Sequence, residues 1–115
     1  RLTAPRAPLA QSTVTNLRVR AVKQGRARGK HIVVVRAKVR PASGRVVHLQ
    51  RKICTTQRDQ RMCVWKTVGQ RRAKAGNGGH VVFRSKRTMP QPAAWRVFLP
   101  ATGTALPAVS RTVRR

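Results

Sequence analysis

The chain has 115 residues, the size of one domain, and carries 27 Lys and Arg against a single acid, Asp59, for a formal net charge of +26. Hydrophobic residues make up 40% of it, more than a disordered basic tail carries, so a folded core with an extreme positive field is expected. One carboxylate excludes paired-carboxylate hydrolysis and Mg²⁺ or Ca²⁺ sites built from Asp and Glu. A catalytic triad would have to draw on His31, His48, His80 and Asp59, with no nucleophile elbow beside them. Gly76, Gly78 and Gly79 stand in AGNGGH, which has neither Rossmann nor Walker spacing. No enzyme, cofactor or metal is expected. The longest apolar run is Ile32–Val35, far short of the roughly 20 residues of a membrane span. With Arg1 first and no basic-then-apolar leader, the sequence reads as a mature or trimmed product.

In chain order, residues 1–12 (RLTAPRAPLAQS) read as an extended Ala/Pro-rich arm or linker, because Pro5 and Pro8 fix φ and remove backbone donors. From Val14 the apolar positions recur every second residue, the mark of strands with one buried face. Leu17, Val19 and Ala21 fall on one side and Arg18 and Arg20 on the other. A turn through KQGRARGK leads to a second strand with Val33, Val35, Ala37 and Val39 inward, stopped by Pro41.

Gly44 opens a third strand, with Val47, Leu49 and Ile53 in phase and Arg51 breaking the pattern. CVWKTV is the fourth, with Val64 and Val68 on one side and Trp65 on the other. The Asn-Gly and Gly-Gly pairs of KAGNGG mark a turn into a fifth strand with Val81 and Phe83 inward. WRVFLP and a last strand near SRTVRR follow a Pro-containing loop. Residues 13–115 are therefore expected to form an all-β sandwich of about seven antiparallel strands. Trp65, Phe83 and Trp95 are expected in the core, and Phe98, out of phase with Val97 and Leu99, at the surface.

Cys54 and Cys63 flank TTQRDQRM between the third and fourth strands, and in a hairpin they face each other at disulfide distance. A bridge there closes a short loop, contributing about 2–3 kcal/mol by chain entropy, and points to an oxidising compartment. Two free thiols, or a metal site shared with His48 or His80, are the other readings of the pair.

The order of motifs carries a resemblance. Val35–Pro41 has the form V-x-A-x-V-x-P and is followed by Gly-Arg-x-Val-x-Leu-Gln-Arg at Gly44–Arg51 and by Trp-Lys-Thr-Val at Trp65–Val68. An Ala-Gly-x-Gly turn into Val81–Phe83, the run Trp95–Pro100 and the closing Ser110–Val113 complete the series. This resembles the immunoglobulin-like β-sandwich modules of secreted and cell-wall proteins from high-GC Gram-positive bacteria, over residues 13–115. The family usually has Tyr where Trp95 stands, and balanced or acidic charge. The resemblance implies an immunoglobulin-like fold and a secreted or cell-surface location; function has to be argued from the cations.

If the first, second and fifth strands share a sheet, Arg18, Arg20, Arg36, Lys38, Arg40, Arg84 and Lys86 tile its outer face, with Arg26, Arg28 and Lys30 in the turn at its edge. A second cluster, Arg58, Arg61, Arg71, Arg72 and Lys74, falls on hairpin loops. Arg outnumbers Lys twenty to seven, and its planar fork suits phosphate. A solvated face serving solubility is the plain alternative, but +26 with one acid leaves a self-repulsion that no internal partner relieves and a polyanion would. Sparse aromatics and no helix-turn-helix, zinc-finger or ribonucleoprotein motif leave phosphate-backbone contact without sequence preference, to DNA, teichoic acid or a similar polymer. The competing reading is a structural module of a surface or filament assembly that docks on an acidic partner protein, with the arm at residues 1–12 donating a strand. A membrane-disrupting peptide and an intracellular ribosomal or nucleoid protein are weaker rivals, the first for want of an amphipathic helix.

Overall fold

The computed structural model describes residues 8–23, 30–88 and 93–115, and the backbone alone at 21–23, 30–31 and 85–88. Among these residues eight strands form in order: β1 Thr13–Lys23, β2 Lys30–Arg40, β3 Val46–Gln57, β4 Gln60–Arg72, β5 His80–Thr88, β6 Ala94–Leu99, β7 Ala108–Val109 and β8 Val113–Arg114. A 3-10 turn spans Ala75–Asn77, within the expected KAGNGG turn. One sheet has the order β1-β2-β5; the other has β4-β3-β6-β7, with β8 also on β6. All pairings between strands are antiparallel. The fold is thus an all-β sandwich with an immunoglobulin-like order, in which the fourth strand lies beside the third.

Period-two patterning builds the core. Leu17 and Val19 of β1, Val33, Val35, Ala37 and Val39 of β2, and Val81 and Phe83 of β5 face Val47, Leu49, Trp95, Val97 and Leu99 of the second sheet. Trp95 is the largest side chain with no exposed surface, and its indole N–H donates to the Arg115 carbonyl at 3.3 Å. The smallest Cα extent is 17 Å, enough for two sheets about 10 Å apart and no third layer.

Eight strands appear instead of about seven because the last one is interrupted. Ser110 N–H donates to the Val97 carbonyl at 2.8 Å, and the Ser110 hydroxyl accepts from Val97 N–H at 2.8 Å. A side chain thereby fills one rung of the ladder, leaving β7 and β8 as short runs on either side. β1 is bulged between Thr15 and Arg18, with Asn16 at φ 54; the Leu17 carbonyl at this bulge accepts from Arg111 of the other sheet at 2.9 Å.

A second bulge lies between Leu49 and Gln50, where Leu49 pairs with Gly69 and Gln50 with Thr67, so Val68 is the extra residue. The bulge reverses the phase of β4. Val64 and Val68, expected together on the side away from Trp65, both fall on the inner face but differ in burial: Val68 packs partly on the core and Val64 is 60% exposed. Trp65 also departs from expectation. It is half-buried on the outer face with the Arg96 guanidinium 4.2 Å from its ring centroid. Phe98 is half-buried as well, edge-on to His48 with ring centroids 6.2 Å apart.

Cys54 and Cys63 are joined as a disulfide across β3 and β4, which settles the reading of the pair. The hairpin turns through Arg58 (φ 50) and Asp59 (φ 62), the two left-handed positions of a type I′ turn whose twist suits a ribbon. Of the expected arm, residues 8–12 are described, and Ala10 makes a parallel bridge with Ala105. Ala10 N–H donates to Thr104 O, and Leu106 N–H donates to Ala10 O, both at 2.9 Å.

β5 begins with a close backbone approach. Gly79 has φ 82, its carbonyl accepts from Val39 N–H at 3.0 Å, and a Cβ on it would collide with the Val39 carbonyl oxygen. Gly79→Ala is therefore expected to cost about 2 kcal/mol or more, combining left-handed strain with displacement of β2. Gly76→Ala, with open space around it and no positive φ, should be nearly silent. Urea unfolding of the two variants checks the contrast; equal midpoints would overturn it.

Candidate functional site

β1, β2 and β5 do share a sheet, and the register places their outward positions side by side. Arg18 is directly opposite Arg36, and Arg36 opposite Val82; Arg20 is opposite Val34, and Val34 opposite Arg84. Neighbouring strands are about 4.8 Å apart and outward residues on one strand about 6.8 Å, so the anchor points of the four arginines lie about 5–12 Å from one another, against a Debye length of about 8 Å at physiological salt. Arg18, Arg20, Arg36 and Arg84 are exposed and, with Val34 as the floor, line a depression of about 270 Å³. That is the space of roughly nine waters at about 30 Å³ each, ample for a phosphate group and part of its hydration.

This arrangement is electrostatically unfavourable by itself. Like charges directly across a strand pair destabilise a sheet, and here Arg18 faces Arg36. The chain's one carboxylate side chain, Asp59, is in the β3–β4 turn of the other sheet, so no acid of the chain stands among these arginines. Aliphatic inward positions fix the strands in this register, and the same alternation forces the cations outward. What the face can do chemically is offer several planar forks of N–H donors to an oxyanion polymer lying across the strands.

The other expected residues are distributed around this centre. Lys38 and Arg40 continue the outward row of β2, with Lys38 half-buried opposite Thr15 and His80, and Arg40 opposite Thr13 at the strand end before a cis bond to Pro41. Lys30 and Lys86 stand on β2 and β5 at described backbone positions; their side chains lie outside the described set. Arg26 and Arg28 lie outside the described residues.

The second cluster does not come together. Arg58 and Arg61 are at the turn end of the β3–β4 hairpin, whereas Arg71 and Arg72 end β4 and Lys74 follows them. Ten residues of strand separate Arg61 from Arg71, about 34 Å at the usual rise. They lie on strand and turn at opposite ends of one long hairpin, where sequence reading had put them together on loops.

One charged residue that sequence reading passed over has a structural role. Arg45 is 3% exposed and donates to Ser12 Oγ at 3.0 Å, to Pro100 O at 2.9 Å and to Leu106 O at 3.4 Å. Burial pushes its pKa below the usual arginine value through desolvation. Its partners are 33 to 61 residues away in the chain, so no local pattern marks it.

Comparison of the chain with protein-family models, with curated proteins and with solved structures gives no match.

Proposed function

We propose that this chain is a non-enzymatic module of the cell surface or secreted space that binds an anionic, phosphate-bearing polymer without sequence preference. The observation that carries this reading is the depression formed by Arg18, Arg20, Arg36 and Arg84 around Val34, four guanidiniums with no acid of the chain beside them. A polyanion laid across it replaces mutual repulsion by charge-assisted hydrogen bonds and releases its own condensed counterions. Nothing in the face reads a base edge, so duplex DNA and a wall teichoic acid are equivalent ligands for it. The Cys54–Cys63 bridge is compatible with an oxidising compartment. No helix among the described residues is long and apolar enough to cross a membrane. The resemblance to immunoglobulin-like modules of bacterial surface proteins belongs to the same reading.

A salt series tests it. Binding to duplex DNA should weaken with a log–log slope of about −3.6 or steeper, the contribution of four neutralised phosphates at about 0.9 each. A teichoic acid should show the same trend at about 0.7 per phosphate, as for a single chain. Absence of binding to both polymers near 0.15 M salt overturns the proposal.

A further inference from the structure

The β3–β4 hairpin runs on past the rest of its sheet. β6 pairs with β3 from His48 to Arg51, and beyond that point the two hairpin strands, among the described residues, pair with each other alone. The alternation that buries Val47 and Leu49 continues into this ribbon: Arg51 is next in phase, its guanidinium 5.9 Å from the Trp95 centroid, and then comes Ile53. Val64 is opposite Ile53 and Met62 opposite Thr55, on the same inner face. Val64 is 60% and Met62 59% exposed. The core face of the sheet thus extends beyond the described residues that would cover it.

The ribbon also has an open edge. Among the described residues β4 has a strand neighbour on one side only. A two-residue turn makes Gln57 and Gln60 a hydrogen-bonded pair, so the pairs Thr56/Arg61, Cys54/Cys63 and Lys52/Trp65 are non-hydrogen-bonded ones. The 4.0 Å separation of the cysteine Cα atoms agrees with this, non-hydrogen-bonded pairs being the closer kind. The backbone N–H and C=O of Arg61, Cys63 and Trp65 therefore point to the free side of β4, and no Pro interrupts that strand. The disulfide cross-links the middle of the ribbon, so little chain entropy remains to be lost when a strand is added.

Charge selects the occupant. Lys66 shares the face of the patch, Lys52 and Arg61 stand on the other face of the ribbon, and Arg58 lies at the tip beside Asp59. A second copy would bring an equal net charge of +26 with the same basic edge, and charged edges are a device by which strands avoid pairing with themselves. A phosphate polymer has no apolar groups to lay on Val64 and Met62. An acidic extended peptide meets both conditions.

We infer that the stapled ribbon receives an acidic segment of a partner protein as an added strand on β4, its apolar side chains covering Ile53, Met62 and Val64 and its carboxylates facing Arg61. This is a second site, on the other sheet from the arginine depression and independent of it.

Calorimetric titration of the oxidised chain with two peptides tests the inference. Both are about as long as β4 and made only of Glu and Val: one alternates strictly, and the other is shuffled so that its valines do not share a side. The alternating peptide should bind at least about tenfold tighter, equivalent to about 1.4 kcal/mol. Met62→Lys with Val64→Lys should lose about that factor even though it adds two cations, and Arg61→Pro should weaken binding by removing one edge donor. Replacing Arg18, Arg20, Arg36 and Arg84 by Ser should leave peptide affinity unchanged, so loss of polymer binding and loss of peptide binding are read separately. Equal affinity for the two peptides, or tighter binding by the Lys double variant, means that charge alone attracts them and overturns the docked strand. Dimerisation of the chain without peptide, abolished by Arg61→Pro, assigns the edge to a second copy and overturns the acidic partner.

Discussion

Joint replacement of Arg18, Arg20, Arg36 and Arg84 by Ser is expected to lower affinity for duplex DNA about a thousandfold near 0.15 M salt. Four phosphate contacts contribute about 3.6 to the log–log salt slope, and that difference accumulates to three decades between about 1 M, where the electrostatic part vanishes, and 0.15 M. The fold should survive. All four side chains are exposed, none holds the core, and their removal relieves the Arg18–Arg36 opposition. The informative control removes the same amount of charge elsewhere, by Ser at Arg58, Arg61, Arg71 and Arg72. If binding depends on the depression, only the first variant loses the full slope. Equal losses from both variants would mean that net charge matters and the face does not.

The second large effect concerns Arg45. Its guanidinium ties three segments together: Ser12 before β1, Pro100 after β6, and Leu106 before β7. Charged hydrogen bonds contribute about 1.5–3 kcal/mol each, but burial of the guanidinium, including an Nε without a hydrogen-bond partner, offsets part of that gain. Arg45→Ala should therefore cost about 2–4 kcal/mol, because it strands two carbonyls and opens a cavity. Arg45→Lys has no planar fork to reach all three acceptors and should recover less than half of the loss. Denaturant midpoints give the ranking, and hydrogen exchange at Ala10 and Leu106 shows whether the segment at 8–12 comes loose with it. Full stability in the Lys variant would show that one contact suffices and that the three-way tie is incidental.

The strands and their inward faces were legible because each is patterned at period two over a core. Leu17, Val19, Val33, Val35, Ala37, Val39, Val81 and Phe83 are buried where the alternation places them. The same alternation, together with the sharing of one sheet by β1, β2 and β5, gave the arginine row of the site in advance. What could not be read locally was where one sheet stops covering the other. Val64 has the pattern of a core residue and is exposed, because β3 and β4 are twelve and thirteen residues long while β6 has six. Trp65 changed role because the extra residue Val68 reversed the strand phase, and a bulge leaves no composition signal. The five cations of the second cluster were counted together since the length of β4, which holds them apart, was not evident. Arg45 shows the same limit: its acceptors are backbone carbonyls, which every residue has, brought near by tertiary folding.

The hairpin tip gives the chain's only acidic residue a conformational explanation. Asp59 occupies a left-handed backbone position at φ 62, which short polar residues tolerate far better than long or branched ones. What the position favours is a short polar side chain able to bond to its own main chain. Asn or Gly would satisfy that demand equally and leave the turn intact, taking the net charge one unit above its present +26. The turn therefore accounts for a short polar residue at Asp59 without calling on its charge, while Arg58 at φ 50 beside it shows that the same tip also admits a cation.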